Sequence, residues 1–100
     1  MFFIRRVSGA SMLPALTERQ IVIAIRLVRN LRPGDVVIVT HAAMEKIKRV
    51  DRVSLDKLYV LGDNADQSTD SRHFGWLQRT AVLGKVIWPR THFKHHSVQK

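Results

Sequence analysis

The sequence predicts a mainly β fold, a compact antiparallel domain carrying one or two short helical turns. Three observations predict it. Six short runs are rich in Val, Ile and Leu and have the length of strands. Turn signals built from Gly, Pro, Asn and Asp separate these runs. One hundred residues also suffice for one modest core and no more.

The elements follow in order. Phe2 to Val7 is the first strand, stopped by Ser8-Gly9. Ser11 to Leu16 reads as a short helical turn with Pro14 inside its first turn, where a missing N–H costs little. Ile21 to Val28 is the second strand. Its longest apolar run, 21–25, is broken by Arg26 and falls far below the roughly 20 residues of a membrane span. In Leu31 to Asp35, Pro33 fixes φ and Gly34 accepts a positive φ, so a tight turn leads into the strand Val36 to Thr40. Ile47 to Val53 and Lys57 to Leu61 are the next strands, and Gly62-Asp63-Asn64 turns the chain again. Ser68 to Phe74 reads as a second helical turn with Asp70 near its start, and Ala81 to Trp88 is the last strand. Residues 1–90 make a single domain. Residues 91–100 lose apolar periodicity and read as a flexible, basic, His-containing tail.

Composition excludes several chemistries. The chain has no cysteine, which removes disulfides, Cys-ligated zinc and Cys nucleophiles. Its net charge of +9 comes from 17 Lys and Arg against 8 Asp and Glu. Those bases are scattered, and no aromatic residues interleave with them as a stacking platform requires, so no nucleic-acid partner is expected. Met1 to Ile4 is too short for the apolar core of a signal peptide and runs into two arginines. If the chain is complete, it is expected to be cytoplasmic with at most peripheral membrane contact. If it is a fragment, a membrane association is expected.

Three segments carry possible chemistry. Ser11 follows Gly9-Ala10, whose small side chains let a peptide backbone approach and leave the Ser11 N–H to meet a developing oxyanion. Taken alone, Ser11 reads equally as the N-cap of a short helix. Lys48 lies in an apolar strand. Alternation places Lys46 and Lys48 on one face and Ile47 and Arg49 on the other, so some basic side chain must sit near apolar surface. A solvent-facing lysine on an edge strand is the plainer reading. The loop from Gly62 to Gly75 holds Asp63, Asn64, Asp66, Ser68, Asp70, Ser71 and Arg72. It reads as a polar turn, or as a loop braced by Asp70 and Arg72 in which Ser68 meets a lysine amine. The carboxylates also suggest calcium, but EF-hand spacing is absent. His41 or His73 could pair with a serine, although no aspartate is placed to orient either. His92, His95 and His96 could hold a metal or belong to a basic tail.

Together these segments resemble the signal peptidase I family of Ser-Lys endopeptidases. Ser8 to Leu16 resembles the nucleophile box, Arg32 to Val37 a structural box, Ile47 to Val50 the general-base box, and Gly62 to Gly75 the last box. The resemblance implies the β fold shared with self-cleaving repressor peptidases. It implies Ser11 as nucleophile, Lys48 as base, Ser68 as the serine supporting the lysine, and Asp70 and Arg72 as bracing residues. Backbone N–H groups of Ser11 and Gly9 would form the oxyanion hole, and neither cofactor nor metal would be needed. Ser11 Oγ and Lys48 Nζ are expected within hydrogen-bond reach, roughly 2.6–3.2 Å or looser without substrate.

Three departures accompany the resemblance. Ala15 stands where the family often has Thr, Glu18-Arg19-Gln20 replaces a Gly-Asp turn, and Gly9 stands where some members carry a serine. A core of this size without an anchor is most similar to the maturation proteases of nickel-type superoxide dismutase, whose substrate is the leader of a precursor protein. The rival readings are a signal peptidase I core lacking its anchor, a self-cleaving repressor peptidase, and a non-enzymatic basic β-barrel that binds nucleic acid.

Overall fold

Seven strands form one antiparallel sheet in the computed structural model, which describes residues 1–26 and 29–91. They are β1 (Phe2–Arg6), β2 (Ile21–Ile25), β3 (Val36–His41), β4 (Met44–Val53), β5 (Lys57–Leu61), β6 (Leu77–Gln78) and β7 (Val82–Trp88). Their spatial order is β1-β2-β7-β3-β4-β5-β6, so the last strand is inserted between the second and third. One short helix, α1 (Ser71–Phe74), follows β5, and 3-10 turns occupy Ala65–Gln67 and Arg79–Ala81.

Burial follows the period of two along the outer strands. Val22 and Ala24 are buried on β2 while Ile21, Ile23 and Ile25 are half-buried. On β1, Phe3 and Arg5 are half-buried while Phe2, Ile4 and Arg6 are exposed. The central strand β3 departs from alternation because both of its faces are covered. Val36 and Ile38 join a cluster with Val7, Met12, Leu16, Val22, Ala24 and Val86. Val37 and Val39 join a second cluster with Leu31, Val50, Leu58, Val60 and Leu77. Four consecutive buried aliphatic residues are the pattern of a strand with core on either side.

Several predicted boundaries move. The second strand ends at Ile25, and Leu27 and Val28 lie outside the described residues. The fourth strand starts at Met44 rather than Ile47, because Ala42 and Ala43 form a two-residue turn closed by the His41–Met44 pair. Both alanines are left-handed, with φ of 52° and 63°. That is the geometry of a type I′ hairpin, for which Asn-Gly is the usual signal and Ala-Ala gives none. Ser11 to Leu16 is not a helix. It is a series of turns holding one helical bond, from Leu16 N to Met12 O at 2.9 Å, and Pro14 has no N–H to offer another. The second helical turn exists as α1 with Asp70 as its N-cap. The last strand starts at Val82, after the 3-10 turn. The tail beyond Thr91 lies outside the described residues.

Candidate active site

The centre of β4 is a run of three buried residues, Lys48, Arg49 and Val50. Lys48 stands opposite Val37 and two residues before Val50, so it faces the second apolar cluster. Arg49 stands opposite Val36 and faces the other way. Arg49 is only 2% exposed, and its guanidinium is satisfied in place. It donates to both carboxylate oxygens of Asp63, at 2.9 and 2.8 Å, and to Gly34 O at 2.8 Å. The basic side chain that had to meet apolar surface is therefore two basic side chains, one on each face.

Lys48 is only 4% exposed. Burial pushes its pKa down, because the charged ammonium loses hydration. The nearby Asp70 charge opposes that shift, while Lys46 and Arg72 add to it. Lys48 Nζ donates to Ser68 Oγ at 3.0 Å, and Ser68 Oγ donates to Asp70 Oδ2 at 2.7 Å. The direction of this chain matters. A hydroxyl has one proton, and Ser68 commits it to Asp70. Ser68 can then only accept from the amine, which leaves the lone pair of a neutral Lys48 free for another proton.

Asp70 is fully buried and its carboxylate is crowded with donors. Arg72 reaches both of its oxygens, the Gly62 N–H donates to Oδ2 at 2.8 Å, and the Arg72 N–H donates to Oδ1 at 3.1 Å. Burial by itself favours the neutral acid. The hydrogen bonds from Arg72, Gly62 and Ser68 outweigh it and hold the carboxyl well below the usual carboxylate range. Asp70 also caps α1 in a reciprocal box with His73. The local sequence Asp-Ser-Arg-His thus fixes the loop, the cap and the orientation of Ser68 at once.

Ser11 comes from the other end of the chain and is stapled to the same loop. The Asn64 N–H donates to Ser11 O at 2.7 Å, and Asn64 Nδ2 donates to Ala10 O at 3.0 Å. Gly62 permits this approach. A Cβ there would lie 2.2 Å from Ser68 Oγ and 2.8 Å from Ser11 O. Ser11, Lys48, Ser8, Met12 and Thr69 line one cleft of about 290 Å³, bounded on its far side by Arg5, Glu45 and Lys46. Among the described residues neither the N–H nor the Oγ of Ser11 has a hydrogen-bond partner, so both are available to a substrate. The expected bond between Ser11 Oγ and Lys48 Nζ is not formed. The bond that Lys48 makes is the one to Ser68.

Ser11, Lys48, Ser68, Asp70 and Arg72 are thus gathered in one region. Gly9 sits in the turn before Ser11 with φ of 82°, between the cleft-lining Ser8 and Ser11. His41 stacks on Phe74 with ring centroids 3.9 Å apart. His73 lies beside Asp70, contrary to the expectation that no aspartate is placed near it, and its Nδ1 accepts from the Asp70 N–H at 3.4 Å in the capping box of α1. His92, His95 and His96 lie outside the described residues. The calcium reading loses two of its carboxylates, because Asp63 is taken by Arg49 and Asp70 by Arg72. Sequence reasoning missed the roles of Asn64, which joins the serine turn to the loop, and of Asp63, which balances Arg49. The turn signal Gly62-Asp63-Asn64 marked their place but not their partners.

The family described as signal peptidase, peptidase S26, matches residues 40–90. That stretch contains Lys48, Ser68, Asp70 and Arg72, and Ser11 lies outside it. Signal peptidase IB of Staphylococcus aureus strain N315 is 46% identical over 43 residues, covering 40% of this chain and 22% of that protein. Signal peptidase I of Bacillus caldolyticus is 40% identical over 53 residues, covering 50% of this chain and 29% of that protein. The chain thus spans less than a third of the length of these relatives. Among the described residues no helix is long and apolar enough to cross a membrane.

Proposed function

The chain belongs to the signal peptidase family, peptidase S26, and from that premise we propose that it is a serine endopeptidase that removes the N-terminal leader of a precursor protein. Ser11 Oγ attacks the scissile carbonyl, and neutral Lys48 takes its proton. Lys48 then protonates the leaving amine and later activates the hydrolytic water. The N–H of Ser11 meets the oxyanion, with Gly9 supplying the second backbone donor. Ser68 orients the amine, and Asp70 and Arg72 hold Ser68. The observation that carries this reading is the buried chain from Lys48 through Ser68 to Asp70 beside a cleft that Ser11 also lines. Arg72 matters because it balances Asp70, whose charge would otherwise favour the protonated lysine.

The substrate in this reading is the leader of a nickel-type superoxide dismutase precursor. The support is the uninterrupted passage from β4 through β5 to the last loop. The experiment is cleavage of such a precursor peptide by purified protein across a pH series. Only the amine form of Lys48 can accept a proton, so activity is expected to rise with pH through a lysine pKa lowered by burial. Ser11→Ala and Lys48→Arg should each be inactive, since arginine does not release a proton in this range. Lys57→Arg, on exposed β5 surface, should keep activity. Full activity in Lys48→Arg would sink the mechanism. Cleavage of other leaders but not this one would sink the substrate assignment alone.

A further inference from the structure

The walls of the cleft are unequally charged. Arg5, Arg6, Lys46 and Lys48 line it, against the single carboxylate of Glu45. That carboxylate is already occupied, because Arg5 donates to both of its oxygens, at 2.6 and 3.0 Å. Arg6 donates to Arg19 O at 3.0 Å, and Lys48 donates to Ser68. Among the described residues the Lys46 side chain has neither a hydrogen bond nor an ion pair, and the residue is half-buried. An unpaired ammonium in the wall of a cleft is placed to take a carboxylate from a ligand.

We propose that Lys46 is a specificity residue of this cleft and binds an acidic side chain of the substrate about two residues from the scissile bond. The inference rests on the peptidase reading above and adds the substrate's chemistry. Lys46 and Lys48 share one face of β4 two residues apart, which is roughly 6.7 Å along a strand. An extended peptide repeats its same-face side chains at the same spacing. When one such residue lies at the Ser11–Lys48 end of the cleft, the next on that face comes level with Lys46. A carboxylate there accepts a charge-assisted hydrogen bond from Lys46. The carboxylate of Glu45 cannot fill this role, since the Arg5 fork holds it against β1. Arg6 is exposed and tied to Arg19, so it adds general attraction rather than a defined contact.

The test reads binding separately from catalysis. A series of short fluorescein-labelled Ala/Ser peptides carries one Glu, or one Gln at the same place, walked along the chain. Fluorescence anisotropy measures their affinity for the full-length Ser11→Ala protein. At one position the Glu peptide should bind about tenfold more tightly than its Gln partner, the range of one charge-assisted hydrogen bond. That preference should vanish when Lys46→Gln is added and invert towards a Lys peptide with Lys46→Glu. Equal binding of the Glu and Gln peptides at every place, or no binding of any peptide, would overturn the inference. So would a preference spread evenly over all places, which is the mark of the net charge alone, or one that survives Lys46→Gln. If the preference is found but wild-type protein cleaves none of the peptides or precursors, the peptidase reading fails and the acid-binding site stands.

Discussion

Replacing Gly62 by alanine adds one methyl group at the point where three chain segments meet. The Cβ would stand 2.2 Å from Ser68 Oγ, 2.6 Å from Ser68 Cβ and 2.8 Å from Ser11 O. Ordinary contact begins near 3.4 Å, so Ser68 must retreat by about 1.2 Å and the Ser11 carbonyl by about half of that. Neither can retreat freely. Ser68 is bonded on both sides, to Lys48 and to Asp70, and the Ser11 carbonyl is held by Asn64. Overpacking of this kind costs about 1–3 kcal/mol, and each kcal/mol lowers the melting temperature of a domain this size by roughly 4–8 °C. The effect on rate should be larger than the effect on stability, since displacement of a catalytic group by about 1 Å can cost on the order of 100-fold. The assays are a thermal melt and cleavage of a precursor peptide at a temperature where the variant is still folded. A second substitution separates clash from chemistry. Gly62→Ala with Ser68→Gly removes two of the three obstructing atoms, so it should recover part of the melting temperature without recovering activity. A Gly62→Ala protein with unchanged melting and unchanged turnover would refute the packing reasoning and the placement of Ser68 together.

Two further substitutions test the energetics of the fold. Lys48→Met should be inactive yet more stable at neutral pH, by about 1 kcal/mol, because it removes a buried charge. The sign follows from the lowered pKa of Lys48. The unfolded chain binds the proton more readily, so the penalty is fully present below the folded pKa and disappears above the ordinary lysine value of 10.5. The gap in melting temperature between variant and wild type should therefore close as pH approaches that value, and a gap independent of pH would count against a buried lysine. At the β3–β4 turn, Ala42→Asn with Ala43→Gly should raise stability by about 1–2 kcal/mol, since both positions are left-handed and alanine is strained there. A denaturant titration reads this directly, and an unchanged midpoint would argue against the type I′ turn.

The strands were legible because they depend on local pattern. Val36 to Val39 reads as a strand whatever surrounds it, and the order of the serine, lysine and acidic loop segments survives without coordinates. What was not legible depended on partners distant in sequence. Arg49 looked misplaced on its face until Asp63 appeared 14 residues later to neutralise it. Ser11 looked like a helix cap because its neighbours suit one, yet its segment is held by Asn64 and by the core contacts of Met12 and Leu16. The β3–β4 hairpin was hidden because its turn uses alanine, whose left-handed conformation no composition rule predicts. The sequence marked Asp70 as a partner for Arg72, but its place as N-cap of α1 needed the geometry of His73.

The bonds from Asn64 back to Ala10 and Ser11 tie together residues more than fifty positions apart. During synthesis Ser11 emerges before Lys48, and both emerge before Asn64, Ser68 and Asp70. A nascent or truncated chain ending before residue 62 contains both proposed reactive side chains and none of the groups that dock or orient them. Under the proposed function, competence therefore waits until the loop from Gly62 to Asp70 has folded against Ser11 and Lys48, and a shorter copy carries a serine without the groups that orient its base. Under that function, this long-range closure acts as a safeguard written into the order of the chain.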